Sequence, residues 1–208
     1  MTVLRDETIT IPVDGSAVVG DLVVPDHAHG LVIFAHGSGS SRFSSRNRAV
    51  AAGLQHGGMG TLLLDLLTAA EERVDVVTRQ YRFDIERLAV RLVSATDWAR
   101  TQPDLRDLPI GYFGASTGAA AALIAAARRP DEVAAVVSRG GRPDLAGEAL
   151  RGVRAPTLLI VGGNDEVVLE LNRAAQRQLG RLGIVELVPG ATHLFEESGA
   201  LEQVTRLA

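Results

Sequence analysis

One short stretch constrains the fold of this chain more than any other: Gly114-Ala-Ser116-Thr-Gly118, between an apolar run and an alanine-rich run. The apolar run predicts a buried strand and the alanines predict a helix. A strand that turns at once into a helix presses its backbone against its neighbours, so glycine is needed on both sides of the turn. Ser116 then stands at a helix N-terminus, a favourable place for a nucleophile. A plain strand-to-helix turn is the alternative, and the partners of Ser116 decide between the two.

The residue types that the chain lacks narrow its chemistry. No cysteine is present, which excludes disulfides, thiolate nucleophiles and cysteine-ligated zinc. All 21 basic residues are arginine, which excludes a P-loop lysine, a Schiff base and a Ser-Lys dyad. The pair His27 and His29 lacks a third ligand cluster, so no metal or cofactor is predicted. A nucleophilic enzyme of this composition must use Ser, Thr, Asp, Glu, His or Tyr.

Length and charge indicate a single globular domain over residues 1–208. The formal net charge of -4 gives no footprint for nucleic acid or an anionic membrane as a partner. No apolar run approaches the roughly 18 residues of a membrane span, and the first residues lack a signal-peptide pattern. These features predict a cytoplasmic protein that acts on a small molecule, and they leave its oligomeric state open.

Strand and helix patterns alternate along most of the chain, after an opening antiparallel hairpin. Strands are predicted at 7–12, 17–24, 31–35, 60–65, 110–114, 133–138, 157–161 and 184–188. Helices are predicted near 47–56, 85–100, 117–128, 144–150, 168–180 and 197–207. This order predicts an α/β fold with a mostly parallel eight-stranded sheet and helices on both faces. Residues 66–83 show no clear period and are either a loop over a site or a solvated connection.

Four polar residues follow strands of this sheet and are therefore expected at its carboxyl edge: Ser38, Ser116, Asp165 and His193. Serine needs an adjacent base, and a histidine base needs a carboxylate that fixes its tautomer. Ser116, Asp165 and His193 supply these groups in the order Ser, Asp, His. Asp165 could instead cap the helix near 168, and its neighbours Asn164 and Glu166 are the alternative acids.

The loop after the strand at 31–35 consists mainly of small residues and offers backbone N–H groups to a ligand. One interpretation is an oxyanion loop in which Ser38 donates its N–H. The other is a dinucleotide fingerprint with Asp65 as the ribose acid, although Arg42 stands where the third glycine belongs. His36, at the start of the loop, is interpreted as structural.

The chain resembles the α/β-hydrolases, most closely the small, capless members related to dienelactone hydrolases. Its matching segments are His36-Gly37-Ser38-Gly39, Gly114-Ala-Ser116-Thr-Gly118, Gly162-Gly-Asn-Asp165 and Gly190-Ala-Thr-His193. The resemblance implies an oxyanion hole made by the backbone N–H groups of Ser38 and Thr117. Dienelactone hydrolases proper use cysteine as the nucleophile, and the serine here favours an ordinary carboxyl ester over a dienelactone. The absence of a cap implies a shallow, open site.

The predicted function is a metal-free serine esterase with Ser116, His193 and Asp165 as its triad. A thioesterase or acyltransferase with the same triad is the near alternative, and a non-catalytic dinucleotide- or ligand-binding module is the alternative from another class. Arg42, Arg139 and Arg142 follow strands at the same edge and could hold an anionic group of the substrate. They could equally be solvated, or paired with nearby Asp and Glu.

Overall fold

The computed structural model describes residues 2–208, and eight strands in this range form one sheet. The strands are β1 (Val3–Val13), β2 (Ser16–Pro25), β3 (Leu31–Ala35), β4 (Gly60–Leu64), β5 (Ile110–Ala115), β6 (Val133–Arg139), β7 (Thr157–Gly162) and β8 (Gly183–Val188). The helices are α1 (Ser45–His56), α2 (Ala69–Thr78), α3 (Ile85–Thr101), α4 (Thr117–Arg128), α5 (Glu166–Leu179) and α6 (Ala200–Leu207). Within residues 2–208, no helix is both long enough and apolar enough to cross a membrane.

The sheet runs in the order β1-β2-β4-β3-β5-β6-β7-β8. Strand β2 is antiparallel to both β1 and β4, and every other pair of neighbours is parallel. The opening hairpin turns at Asp14 and Gly15, between paired residues Val13 and Ser16. The predicted fold class, a mostly parallel eight-stranded sheet with an N-terminal antiparallel hairpin, is therefore confirmed.

Helices cover both faces of the sheet, and one apolar cluster lies between the sheet and the helices on each face. The larger cluster joins the sheet to α3 and α4, and the smaller one joins it to α1 and α6. Ile33 belongs to the first cluster and its neighbour Phe34 to the second, because successive side chains of a strand point to opposite faces. The central strands of the sheet are thus buried on both sides, whereas the edge strands β1 and β8 are largely exposed.

Helix α4 lies closest to the centre of the molecule. Every residue from Thr117 to Ala126 is buried. Alanine makes up most of this stretch and has the best helix propensity, and its small side chain lets the helix pack closely against the sheet. Ser116, immediately before this helix, is therefore fixed between two buried elements.

Residues 66–83 are not a loop over a site, because most of this segment is helix α2, although most of its residues are exposed to solvent. Thr68 and Glu71 make reciprocal side-chain and backbone hydrogen bonds at its start, as in a capping box. The one buried residue of the helix is Asp75, which accepts hydrogen bonds from the backbone N–H groups of Tyr81 and Arg82. Since the helix buries a carboxylate rather than an apolar stripe, hydrophobic periodicity could not reveal it.

Candidate active site

Ser116 lies at the turn between β5 and α4 with φ 51° and ψ -121°, outside the regions that non-glycine residues favour. Its N–H donates to the carbonyl of Arg139 at 3.3 Å, and its carbonyl accepts from the N–H of Arg142 at 3.1 Å. The strained turn is thus held by backbone bonds to the end of β6 and the residues that follow. Strain of this kind costs on the order of 1–3 kcal/mol and persists where the surroundings enforce it.

The two glycines around Ser116 are required by space. A Cβ on Gly114 would lie 2.4 Å from the Cα of Ala119, and one on Gly118 would lie 2.3 Å from the carbonyl oxygen of Ala35. Both contacts involve backbone atoms, which cannot move aside. The Gly-x-Ser-x-Gly pattern therefore records close contact of the turn with β3 and with its own helix.

Asp165 and His193 meet across the loops that follow β7 and β8. Nδ1 of His193 donates to Oδ2 of Asp165 at 2.7 Å. Asp165 precedes helix α5, but its side chain makes no capping hydrogen bond to that helix. The carboxylate is therefore directed to the imidazole, whereas Glu166 is exposed as the first residue of the helix.

Two further contacts hold the histidine loop in place. Asn164 donates its side-chain N–H to the carbonyl of Gly190 at 2.9 Å, which ties the loop after β7 to the loop after β8. Glu197 accepts from the N–H and the hydroxyl of Thr192, at 3.0 and 2.6 Å, and these hydrogen bonds lower the pKa of its carboxyl. The turn that carries His193 is thus closed by its own polar groups.

The oxyanion loop shows a contact that the sequence did not indicate. The N–H of Ser38 donates to the hydroxyl of Thr117 at 2.8 Å, so one of the two predicted oxyanion donors is already engaged by the residue that carries the other. His36 supports the loop from behind. Its Nε2 accepts from the N–H of Leu66 at 3.1 Å, and its Nδ1 donates to the carbonyl of Gly37 at 2.9 Å.

His36 therefore has a structural place in the protein, as its sequence context indicated. Burial is the main cause that lowers the pKa of this histidine, so the ring stays neutral near pH 7. Both ring nitrogens have partners, and neither is available for proton transfer to a substrate.

A cavity of about 240 Å³ contains Ser116 and His193 together. Its wall also includes Ser38 and Ser40 of the oxyanion loop and Arg139 at the end of β6. Among residues 2–208, no hydrogen bond joins the Ser116 hydroxyl to His193. Catalytic hydrogen bonds are often long without substrate and shorten in the reactive complex. The cavity brings Ser116, His193 and the loop after β3 together at the carboxyl edge of the sheet.

The three arginines predicted at the rim have different surroundings. Arg42 forms ion pairs with Asp21 and Asp65, so the Asp65 carboxylate that a dinucleotide ribose would need is occupied. Arg142 pairs with Asp144 at 2.8 Å. Arg139 alone of the three lines the cavity that holds Ser116.

Comparison with known proteins places these features in a family. A dienelactone hydrolase from Anabaena variabilis is 56% identical over 98% of this chain and 94% of its own, with a TM-score of 0.95. The chain belongs to the dienelactone hydrolase family of α/β-hydrolases. An α/β serine hydrolase homologue from Coxiella burnetii shares 19% identity over 100% of this chain and 97% of its own at a TM-score of 0.80, a likeness of fold. The scan against family models found no match.

The curated relatives of this dienelactone hydrolase family member are longer proteins. Two Mycobacterium tuberculosis proteins, each provisionally named a phosphoribosyl transferase, are 59% identical over 205 residues. The match covers 99% of this chain and 45% of each relative. The chain thus spans less than half the length of the curated relatives it matches, and more than half of each relative lies outside the match.

Three features of this dienelactone hydrolase-like site were not found from the sequence. The first is the hydrogen bond from the Ser38 N–H to the Thr117 hydroxyl, and the second is the pair of hydrogen bonds from Thr192 to Glu197. No sequence motif predicts either of them. The third feature is the difference among the rim arginines. The pairing of Arg142 with Asp144 two residues later could have been suspected, whereas that of Arg42 with Asp21 and Asp65 required the fold.

Proposed function

We propose that this hydrolase cleaves small carboxyl esters through an acyl-enzyme formed on Ser116. The observation that carries the proposal is the 2.7 Å contact of Asp165 with His193 beside a serine on a strained turn in one cavity. In such an arrangement the histidine activates the serine as a nucleophile, and the carboxylate orients the histidine and stabilises its charged form.

The geometry supports the following sequence of steps. The Ser116 oxygen attacks the carbonyl carbon of the ester while Nε2 of His193 accepts the hydroxyl proton. Asp165 keeps the proton of Nδ1 in place and stabilises the imidazolium that forms. The tetrahedral intermediate collapses, the C–O bond to the alcohol breaks, and His193 returns the proton to the departing alkoxide. Water, deprotonated by His193, then attacks the acyl carbon. The bond between that carbon and the Ser116 oxygen breaks, His193 returns the proton to this oxygen, and the acid is released.

Backbone donors stabilise the negative oxygen in this mechanism. The N–H of Thr117 lies at the start of α4, where the helix dipole adds positive potential. The N–H of Ser38 serves as the second donor when the oxyanion replaces the Thr117 hydroxyl as its acceptor. One donor of this kind contributes about 3–4 kcal/mol in well-studied hydrolases.

Labelling and substitution test the proposal. A fluorophosphonate probe should label the chain at Ser116, and Ser116→Ala should abolish labelling and reduce hydrolysis of p-nitrophenyl acetate by about 10⁴-fold or more. Retention of more than a few per cent of wild-type turnover by a folded Ser116→Ala protein would contradict the nucleophile assignment.

The choice of acid has its own matched pair of variants. Asp165→Asn should reduce turnover by about 10⁴-fold, because the amide favours the wrong tautomer of His193. Glu166→Gln, one residue further, should change turnover little, since Glu166 is exposed and, within residues 2–208, the hydrogen bond to His193 is made by Asp165. The reverse result would place the acid at Glu166.

A thioesterase or acyltransferase remains the second candidate, because the same acyl-enzyme can arise from a thioester or pass to another acceptor. The small size of the cavity favours short acyl groups for either reaction. Rates on matched esters and thioesters of increasing acyl length, with and without an added alcohol, separate these activities.

A further inference from the structure

Arg139 presents an unpaired charge inside the cavity of Ser116. The residue is 7% exposed, and its Nη2 donates to Oδ1 of Asn47 at 3.3 Å. Its Nε and Nη1 are buried and have no hydrogen-bond partner within residues 2–208. Over the same residues, no Asp or Glu forms an ion pair with Arg139. Two nitrogens of a guanidinium are therefore without an acceptor in a residue that lines the cavity of Ser116.

A buried charge without a counter-ion is unfavourable, and this protein avoids it elsewhere. Burial, and secondly the positive charge of Arg46, lower the pKa of Arg139 to about 10. The guanidinium is still charged at neutral pH. Arg42 and Arg142 each have carboxylate partners, so the missing partner at Arg139 is a local property of the cavity.

Helix α1 directs a second source of positive potential into the same cavity. Its N-cap residue Ser44 and its first-turn residues Arg46 and Asn47 line this cavity together with Ser38 and Ser40. The Ser44 side chain accepts from the N–H of Asn47, which leaves the N–H groups of Ser45 and Arg46 without an intrahelical acceptor. The first turn contains no acidic residue, although Asp and Glu are favoured there.

The donors in this wall suit one class of anion. Among residues 2–208, no Asp or Glu lines the cavity, whereas Ser40, Ser44 and Arg46 line it together with Arg139. Arg46 pairs with Glu196 through one nitrogen at 3.1 Å and keeps its other N–H groups. A carboxylate offers two oxygens, whereas a phosphate monoester offers three and carries about -1.5 to -2 charges near pH 7. Helix N-termini and arginines are the usual partners of phosphate.

We propose that the Arg139 side of this cavity is a subsite for a phosphate group carried by the ester substrate, an inference that rests on the proposed hydrolase function. The phosphate takes the free N–H groups of Arg139 and the N-terminal amides of α1. The ester carbonyl then lies beside Ser116 in the same 240 Å³ space. A volume of this size admits a phosphate and a short carbon chain, so the substrate is a small phosphorylated ester.

Binding is measured first, without any dependence on hydrolysis. Ser116→Ala protein is titrated with inorganic phosphate at constant ionic strength, with chloride as the reference, and the Tm is followed. We expect a rise of about 3 °C near tenfold excess over Kd. The rise should disappear in Ser116→Ala/Arg139→Gln and persist in Ser116→Ala/Arg142→Gln, whose arginine is paired outside the cavity. A rise that survives Arg139→Gln, or no rise in Ser116→Ala, overturns the subsite.

A surface variant guards against misfolding of the buried one. Arg46→Gln changes a partly exposed side chain and should weaken phosphate binding several-fold with the fold intact by circular dichroism. Unchanged phosphate affinity in Arg46→Gln, together with an unfolded Arg139→Gln, would count against the proposal.

Kinetics then test the substrate class. Three acetyl esters of matched alcohols are compared: one neutral, one bearing a carboxylate and one bearing a phosphate monoester. In the wild-type chain kcat/KM should be at least tenfold higher for the phosphate ester than for the neutral one, and Arg139→Gln should remove most of this preference while Arg142→Gln keeps it. Equal values, or a preference for the carboxylate ester, overturn the phosphate assignment. Phosphate binding without hydrolysis of any ester would instead sink the hydrolase proposal and leave the anion subsite standing.

Discussion

Two buried arginines show opposite treatments of the same charge. Arg91, on α3, is 1% exposed and forms ion pairs with Asp14 at 2.7 Å and Glu71 at 2.9 Å. Arg139, at the end of β6, is 7% exposed and has no carboxylate partner among the described residues. The first charge is neutralised by the fold, whereas the second is left to whatever enters the cavity.

A cluster of ion pairs connects three elements of the fold. This Arg91 cluster consists of Arg91, Asp14, Glu71 and Arg87. Asp14 belongs to the turn of the opening hairpin, and Glu71 caps the start of α2. Burial opposes ionisation of Glu71, but the Thr68 N–H and the charge of Arg91 prevail and lower the pKa of its carboxyl. The cluster therefore joins hairpin, α2 and α3 without facing the Ser116 cavity. An arginine paired with carboxylates in this way stabilises the fold, whereas an arginine without such a partner is available to bind an anionic ligand.

The largest expected effect comes from replacing Arg91, the arginine with carboxylate partners. Arg91→Met should lower the free energy of unfolding by about 3 kcal/mol, because Arg91 is buried and its removal leaves the partly buried Glu71 carboxylate with less compensation. Glu71 keeps Arg87 at 2.7 Å, which holds the loss near the lower end of the usual range. Urea denaturation measures it. Arg173→Met, which breaks the exposed pair with Glu170, is the control and should change stability by less than about 0.5 kcal/mol. Equal effects of the two changes would show that burial of Arg91 is unimportant.

Much of the fold, and the proximity of Ser116 and Asp165 to His193, could be predicted from the sequence, because strand, helix and turn patterns along the chain indicate them. Gly114 is forced by its contact with Ala119 of the following helix, and Gly118 by its contact with Ala35 of β3. His193 is the one histidine after Ser116. Helix α2 could not be predicted, since its buried face consists of Asp75 and its exposed residues include Val76 and Val77. That helix is held by polar contacts with later residues, and such contacts leave no periodic signal in the sequence.

The arginines show a second limit of prediction. Three of them follow strands at the right edge, and sequence position alone treats Arg42, Arg139 and Arg142 alike. What separates them is whether a carboxylate reaches the guanidinium. Asp144 does so for Arg142 within two residues, whereas for Arg42 and Arg139 the outcome depends on distances between segments remote in sequence. Spacing can therefore nominate residues at a site, while the state of their charges is a property of the folded molecule.

An intermediate effect is expected at Thr117, whose hydroxyl accepts a hydrogen bond from the N–H of Ser38. Thr117→Val should lower kcat about tenfold at nearly constant KM, because the Ser38 N–H loses the acceptor that orients it before the oxyanion forms. Thr117→Ser keeps the hydroxyl and should keep most of the activity. Steady-state kinetics on p-nitrophenyl acetate provide the measurement. A higher kcat in Thr117→Val would mean instead that the hydroxyl competes with the oxyanion for this N–H.

The smallest effect concerns the open side of the comparison and has the opposite sign. The pKa of Arg139 is lowered to about 10, below its ordinary value of 12.5, so the unfolded chain binds the proton more tightly than the folded one. At pH 7 both states are protonated, and the folded state bears the full penalty of the buried charge. Arg139→Met should therefore raise the free energy of unfolding by about 1 kcal/mol. This figure is the net gain that remains once the loss of the Arg139 contacts with Asn47 and Phe195 is subtracted.

The order of stabilities should then depend on the anion present. In chloride buffer the Tm of Arg139→Met should exceed that of the wild-type chain by about 2–4 °C. Added phosphate should raise the wild-type Tm alone and so reduce or reverse this difference, because the variant lacks the group that the phosphate neutralises. If Arg139→Met were less stable than wild type in both buffers, Arg139 would be a structural residue like Arg91, and the contrast between the two arginines would fail.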